Sequence, residues 1–240
     1  LSLFLSLLIS SANAGFSEAL DALKTGDFKT AIFNLEKEID KTEDDTFTPM
    51  LYAVLANSYY QAPDDIDNDY KLAFKNYLIA AKRFDSDVQY KLGVMYDTGQ
   101  GVEQDFTKAI EHFEQSIKYK EKPYSLWRLG KIYLLGKGVA KDYDKAKEYF
   151  ERAEAVGDAN SQFELGHIHE YGKGIPISIP RAIHYYEKSA KQGDADAQYK
   201  LDLLTGKVDK KDWNTDFETA LDYTYGYTVD VDFDKAIEYY

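Results

Sequence analysis

Three short segments carry glycines spaced for anion binding. GQGV at 99–102, GKGV at 136–139 and GKGI at 172–175 each set two glycines one residue apart, which lets backbone amides converge on a phosphate. The dinucleotide and P-loop motifs that use such amides need a preceding strand and a longer glycine pattern. Here the apolar residues before the glycines recur at helical spacing, so turns requiring positive φ account for them better. His167 and His169 are candidates for a metal pair, but two residues apart on a helix they point to nearly opposite sides and cannot share one ion. His169 reads instead as a packing residue with a polar tip. His112 and His184 read as one equivalent position of a repeated helix, each one residue before an aromatic, which explains them without catalysis. Carboxylates are abundant, yet none stands with a nucleophile in a recognisable order. Glu43-Asp44-Asp45 and Asp64-Asp65-Asp67 read as solvated loops, the second lacking the glycine and closing Glu of a calcium loop. With no cysteine, thiol catalysis, disulfides and thiolate metal sites are excluded. No catalytic residue, cofactor or metal is expected.

The elements that position these residues come from a chain able to fold: of 240 residues, 44% are hydrophobic and 15% aromatic. A formal net charge of −13, with no run of Lys and Arg, argues against nucleic acid and anionic membrane surfaces as partners. The opening LSLFLSLLISSANA is an apolar run ending in small residues, with Ala12-Asn13-Ala14 in the pattern of signal-peptidase sites. It is read as a secretory signal, residues 1–14, cleaved before Gly15. The mature protein is then exported, periplasmic or secreted, without membrane insertion, because the run is far short of the roughly 20 residues that span a bilayer. Neither an initiating Met nor a basic segment precedes it, so the chain is expected to begin within its own signal and to be a fragment at this end.

A repeat organises the rest. Asp27, Asp69, Asp105, Asp142, Ser178 and Asp232 each stand four residues before an Ala, at Ala31, Ala73, Ala109, Ala146, Ala182 and Ala236. Successive leading positions are 42, 36, 37, 36 and 54 residues apart, a period near 36 with an insertion near 203–214 in the last step. Upstream lies a second block, KLGVMYDTGQGV, RLGKIYLLGKGV and ELGHIHEYGKGI, whose apolar residues, such as Leu129, Ile132 and Tyr133, recur at helical spacing. This block is helix A of a hairpin. After the glycines, the Asp is placed to cap a helix B whose apolar stripe runs through Ala146, Phe150 and Ala153. Gly157 and Gly193 are read as its stops.

Leu92, Gly93, Tyr96, Gly99, Gly101, Val102, Asp105, Lys108 and Ala109 form one copy of a fuller pattern. Leu129, Gly130, Tyr133, Gly136, Gly138, Val139, Asp142, Lys145, Ala146, Tyr149 and Phe150 form the next. This pattern resembles that of the Sel1-like repeat (SLR) family, relatives of tetratricopeptide repeats. A third copy departs from it, with His169 for Tyr, Ser178 for Asp, and Pro176 and Pro180 around a helix B that would begin near Pro180. Residues 49–85 match loosely, Leu55-Ala56 and Tyr59 standing for Leu-Gly and Tyr. Tyr223, Gly226, Val229 and Asp232 keep the register, with Thr228 for the second glycine, and the chain stops in mid-helix at Glu238-Tyr239-Tyr240, so a fragment is expected at this end too. The resemblance implies an all-α fold, an αα-hairpin solenoid wound as a right-handed superhelix, in which no hairpin buries its apolar face alone. The expected plan is a tetratricopeptide-like hairpin at 15–48 and repeats at 49–85, 86–121, 122–157, 158–193 and 194–240.

Two residues before the helix A Leu, the chain is aromatic each time: Tyr90, Trp127, Phe163, Tyr199, and Phe217 in the shifted last copy. Helix geometry puts that position about 160° from the Leu, off its core stripe. Two readings stay open, rings packed between successive A helices, or a ladder of rings partly open on the concave face that A helices line in this family. Large rigid rings anchor peptide ligands. Neighbouring positions vary in charge, with Lys91, Arg128, Glu164 and Lys200 before the Leu and Val94, Lys131, His167 and Leu203 two after it. The candidate peptide-binding set is therefore Tyr90, Trp127, Phe163, Tyr199, Lys91, Arg128, Lys131 and His167.

The resemblance implies an exported bacterial scaffold that binds another protein or a peptide through the concave face. One alternative is cell-wall glycan binding by stacked rings. Another is the β-lactamase-like or penicillin-binding activity linked to cysteine-rich members of the family, against which stand the lack of cysteine and of an S-x-x-K motif. Replacing Gly136 or Gly138 by Val is expected to cost about 1–3 kcal/mol if either takes positive φ; unchanged melting of both variants would remove the turn assignment. Replacing Lys91 and Lys131 by Glu is expected to change stability by less than about 0.5 kcal/mol, as at ordinary surface sites.

Overall fold

The computed structural model describes residues 14–41, 47–62, 69–83, 85–118 and 120–207. Among these residues there are eleven α-helices and no strand. Five pairs form hairpins: α1 (Ala14–Thr25) with α2 (Phe28–Lys41), α3 (Thr48–Gln61) with α4 (Tyr70–Ala80), α5 (Ser86–Thr98) with α6 (Phe106–Ile117), α7 (Pro123–Leu135) with α8 (Tyr143–Ala155), and α9 (Ala159–Tyr171) with α10 (Ile179–Ala190). A further helix, α11 (Ala195–Leu204), packs on α10. The helices fall into two compact units, the first ending at Lys120 and the second beginning at Glu121. Leu35, Leu51, Tyr77, Leu92 and Met95 are central to the core of the first. Phe163, Ala182, Tyr186, Ala197 and Leu201 form a core cluster in the second. The expected signal up to residue 13, the acidic segments 43–45 and 64–67, the insertion beyond Lys207, and the last copy with Phe217, Tyr223 and Asp232 lie outside the described residues.

The repeated Asp does what its chemistry suggests. Carboxylate oxygens of Asp27, Asp69, Asp105 and Asp142 accept hydrogen bonds from first-turn amides of the B helices, for example Lys145 N at 2.9 Å from Asp142 and Lys108 N at 3.1 Å from Asp105. Ser178 makes no such side-chain bond, and its helix begins at Ile179 with Pro180 in the first turn, where a missing N–H costs nothing. A second set of caps, Asp85, Asp158 and Asp194, starts the A helices α5, α9 and α11. The sequence reading did not single these out.

The turn between A and B is closed the same way in three copies. The amides of Gly136 and Lys137 both donate to the Ile132 carbonyl, at 2.9 and 3.0 Å, and the Asp142 amide donates to the Tyr133 carbonyl at 2.9 Å. Asp105 with Tyr96 and Ser178 with His169 repeat the last bond, at 3.0 and 2.9 Å. Gly136 and Gly138 have φ of 71° and 66°, the left-handed region that glycine enters without cost. At Gly101 there is a second constraint, because a Cβ there would come within 2.1 Å of the Tyr70 carbonyl oxygen of the preceding hairpin.

The glycine of each Leu-Gly pair has a different role. A Cβ on Gly93, Gly130 or Gly166 would lie 2.6, 2.4 or 2.5 Å from a ring carbon of Phe113, Phe150 or Tyr186, so these glycines let helix A sit directly against a large ring of helix B. Beside this contact a second pair of rings stacks in parallel: Tyr96 on His112, Tyr133 on Tyr149 and His169 on Tyr185, with interplanar angles of 10°, 16° and 8°. His112 is therefore the counterpart of Tyr149 and Tyr185. This corrects the expected equivalence of His112 with His184, which stands one residue earlier in its helix, where the other copies have Glu111 and Glu148. His169 is buried in its stack, the packing role expected of it.

Gly130→Ala separates these effects. Alanine favours a helix by about 1 kcal/mol, whereas overpacking against Phe150 costs about 1–3 kcal/mol. The variant is expected to be the less stable in urea unfolding, and a gain in stability would contradict the contact.

Candidate protein-binding face

In the first unit, Tyr90 and Lys91 project from α5 and both are half-buried. The Tyr90 ring tilts against Phe113 with centroids 6.0 Å apart. Lys91 Nζ lies 4.6 Å from the centroid of Tyr60, whose hydroxyl donates to Gln100 Oε1 at 3.1 Å. Burial holds the Lys91 amine below its ordinary value, with Asp87 opposing that shift.

In the second unit, Tyr124, Trp127, Arg128 and Lys131 occupy one face of α7, at i, i+3, i+4 and i+7. Tyr124 is 60% exposed, Trp127 and Arg128 are half-buried, and the Arg128 guanidinium lies 5.3 Å from the centre of the Trp127 ring. The positions of α9 and α11 that match Trp127 and Arg128 are closed. Phe163, Glu164 and His167 on α9, and Tyr199 and Lys200 on α11, are all buried.

Polar bridges run between these A helices. Lys131 Nζ is 2.9 Å from Glu164 Oε1, with side chains 14% and 1% exposed. Lys200 Nζ donates to Tyr171 Oη at 2.9 Å and lies 3.7 Å from Glu170, whose other oxygen accepts from Tyr186 Oη at 2.6 Å. His167 sits between the two bridges, edge-on to Phe163 at 4.7 Å and stacked on Tyr171 at 5.4 Å. Burial holds its imidazole well below the ordinary 6.5, and the charges of Lys200, Lys131 and Lys173 push the same way. Burial, with help from Glu170, keeps the Tyr186 hydroxyl protonated.

Of the expected binding set, Phe163, Tyr199 and His167 are buried. Phe163, like Tyr90, leans on the helix B ring of its own hairpin, with Tyr186 at 5.6 Å. Lys131 is no solvated lysine but half of a largely buried ion pair. The accessible members are Tyr90, Lys91, Trp127 and Arg128, and the structure adds Tyr124, which sequence reasoning missed. Glu170 and Tyr171 were also missed, although spacing of three and four from His167 puts them on its face.

The Sel1 repeat model of protein families matches residues 52–83, 86–118, 123–158, 159–194 and 217–240, more than half of the chain. The chain belongs to the Sel1 repeat family. A Sel1 repeat protein from Oxalobacter formigenes is 26% identical over 93% of this chain and 81% of its own, with a TM-score of 0.66. The protective antigen c5321 of uropathogenic Escherichia coli, which displays an SLR fold, shares 23% identity over 94% of this chain and 51% of its own, with a TM-score of 0.69, a likeness of fold alone. No curated protein sequence matches the chain. Sel1 repeats are in general non-catalytic scaffolds that mediate protein–protein interaction, and the helical hairpins described above are their fold. Among the described residues of this Sel1 repeat chain, no helix is long and apolar enough to cross a membrane, and no group of three or more His, Asp or Glu could hold a metal ion.

The buried pair revises the lysine substitutions. Lys131→Glu would set two carboxylates together in the interior and is expected to cost about 3 kcal/mol. Lys91→Glu forfeits the contact with Tyr60 and is expected to cost about 1 kcal/mol. Equal urea midpoints for the two variants would contradict this difference.

Proposed function

We propose that this Sel1 repeat protein is an exported, non-catalytic bacterial scaffold that binds another protein through the accessible residues of its A helices. The observation that carries the reading is the face of α7, where Tyr124, Trp127 and Arg128 combine an exposed ring, a half-buried ring and a guanidinium on one rigid helix. Rings and arginine on a rigid element are the residue types that dominate protein–protein binding energy. Tyr90 and Lys91 offer the same pairing of ring and cation on α5. Export is supported by the apolar leader and its Ala12-Asn13-Ala14 site.

Affinity capture from a bacterial envelope extract tests this reading. Trp127→Ala is expected to weaken retention of the captured protein at least tenfold, in line with truncation of a central aromatic anchor. Glu148→Ala, on the exposed side of α8, is expected to leave retention unchanged. Equal retention by both variants, or retention by peptidoglycan alone, would overturn the proposal.

A further inference from the structure

The A-helix seam of the second unit is joined by ionic and aromatic contacts around one histidine. Lys131 of α7 reaches Glu164 of α9, and Lys200 of α11 reaches Glu170 and Tyr171 of α9. His167 is 1% exposed between those two bridges. Its ring meets Phe163 and Tyr171 of its own helix and Tyr186 of α10, the last edge-on at 5.6 Å. The charged groups facing it are Lys131 from α7, Lys200 from α11 and Lys173 from the turn after α9. The two carboxylates of the cluster, Glu164 and Glu170, are engaged with Lys131 and with Lys200 and Tyr186. A proton added to His167 would thus place a further positive charge among three lysines, in a buried site where screening is weak.

We propose that His167 is a pH-sensitive latch: neutral, it holds α7, α9 and α11 closed over Phe163, and protonated, it parts them and uncovers that ring. The proposal rests on the reading above, in which A helices carry the binding face, and gives that face a second, acid-exposed segment.

The direction of the effect follows from proton linkage. The closed seam holds the imidazole below 6.5, the value it regains when the seam opens. The open form therefore takes up a proton that the closed form refuses. Closure is strongest above about pH 6.5 and weakens as the pH falls toward the closed-state value, by up to about tenfold per pH unit for one proton. His169, on the same helix, is also held low, by burial first and then by Arg181 and Lys147, but it stacks on Tyr185 of α10 rather than between the bridges.

Hydrogen exchange of the full chain without any partner, at pH 7.5, 6.5 and 5.5 and corrected for intrinsic rates, tests the latch in peptides covering 159–171 and 195–204. The wild type is expected to open about fivefold more between pH 6.5 and 5.5, with a matching gain in hydroxyl-radical labelling of Phe163. His167→Gln is expected to remove that rise, and His169→Gln to keep it in 195–204. His167→Phe, which keeps a ring and cannot titrate, serves if the glutamine variant fails to fold. A flat wild-type profile, or a rise as steep in the His167 variants, would overturn the latch while leaving the capture experiment unaffected.

Discussion

The close approach of a helix A glycine to a helix B ring sets the geometry of three of the Sel1 hairpins. Gly93, Gly130 and Gly166 have no Cβ, and the space is filled by Phe113, Phe150 and Tyr186, all fully buried. With the helices this near, the parallel stacks of Tyr96 on His112, Tyr133 on Tyr149 and His169 on Tyr185 fall into register beside the contact. The turn length is then fixed by an amide of the capping residue donating to the carbonyl of the stacked A-helix residue. In the looser copy at α3 and α4, Ala56 takes the place of the glycine and the ring is Tyr77, whose hydroxyl donates to Asn57 Oδ1 at 2.7 Å.

What the hairpins do to one another is a separate matter. In the second unit the A helices are linked through Lys131, Glu164, Glu170 and Lys200, charged groups largely removed from water. Such pairs add little net stability over an apolar contact, because desolvation offsets much of the attraction. They do penalise any shift of one helix against the next, since a one-residue slip leaves a buried charge alone. A seam of this kind is specific in register and sensitive to any further charge placed in it, and His167 occupies that place.

Much of the hairpin was legible in the sequence, because its determinants are local. A capping Asp, a pair of turn glycines and an apolar stripe lie within about four residues of what they act on, and the period near 36 repeats them. The glycine of Leu-Gly was seen as a marker but not explained, since its partner ring lies 20 residues further along. The aromatic position before each Leu was placed by angle alone. That angle is the same for Trp127 and Phe163, yet one is half-buried and the other buried. The difference comes from neighbouring elements across the fold, which no periodicity within a single helix encodes. For the same reason Lys131 reads as a surface residue until Glu164 is brought to it.

The claim that binding runs through the A helices is tested most directly by photocrosslinking. A photoreactive phenylalanine analogue placed at position 124, on the exposed face of α7, is expected to capture a discrete partner from a bacterial envelope. The same analogue at position 148, on the exposed side of α8, is expected to capture none. Capture from position 148 with none from position 124 would contradict the account.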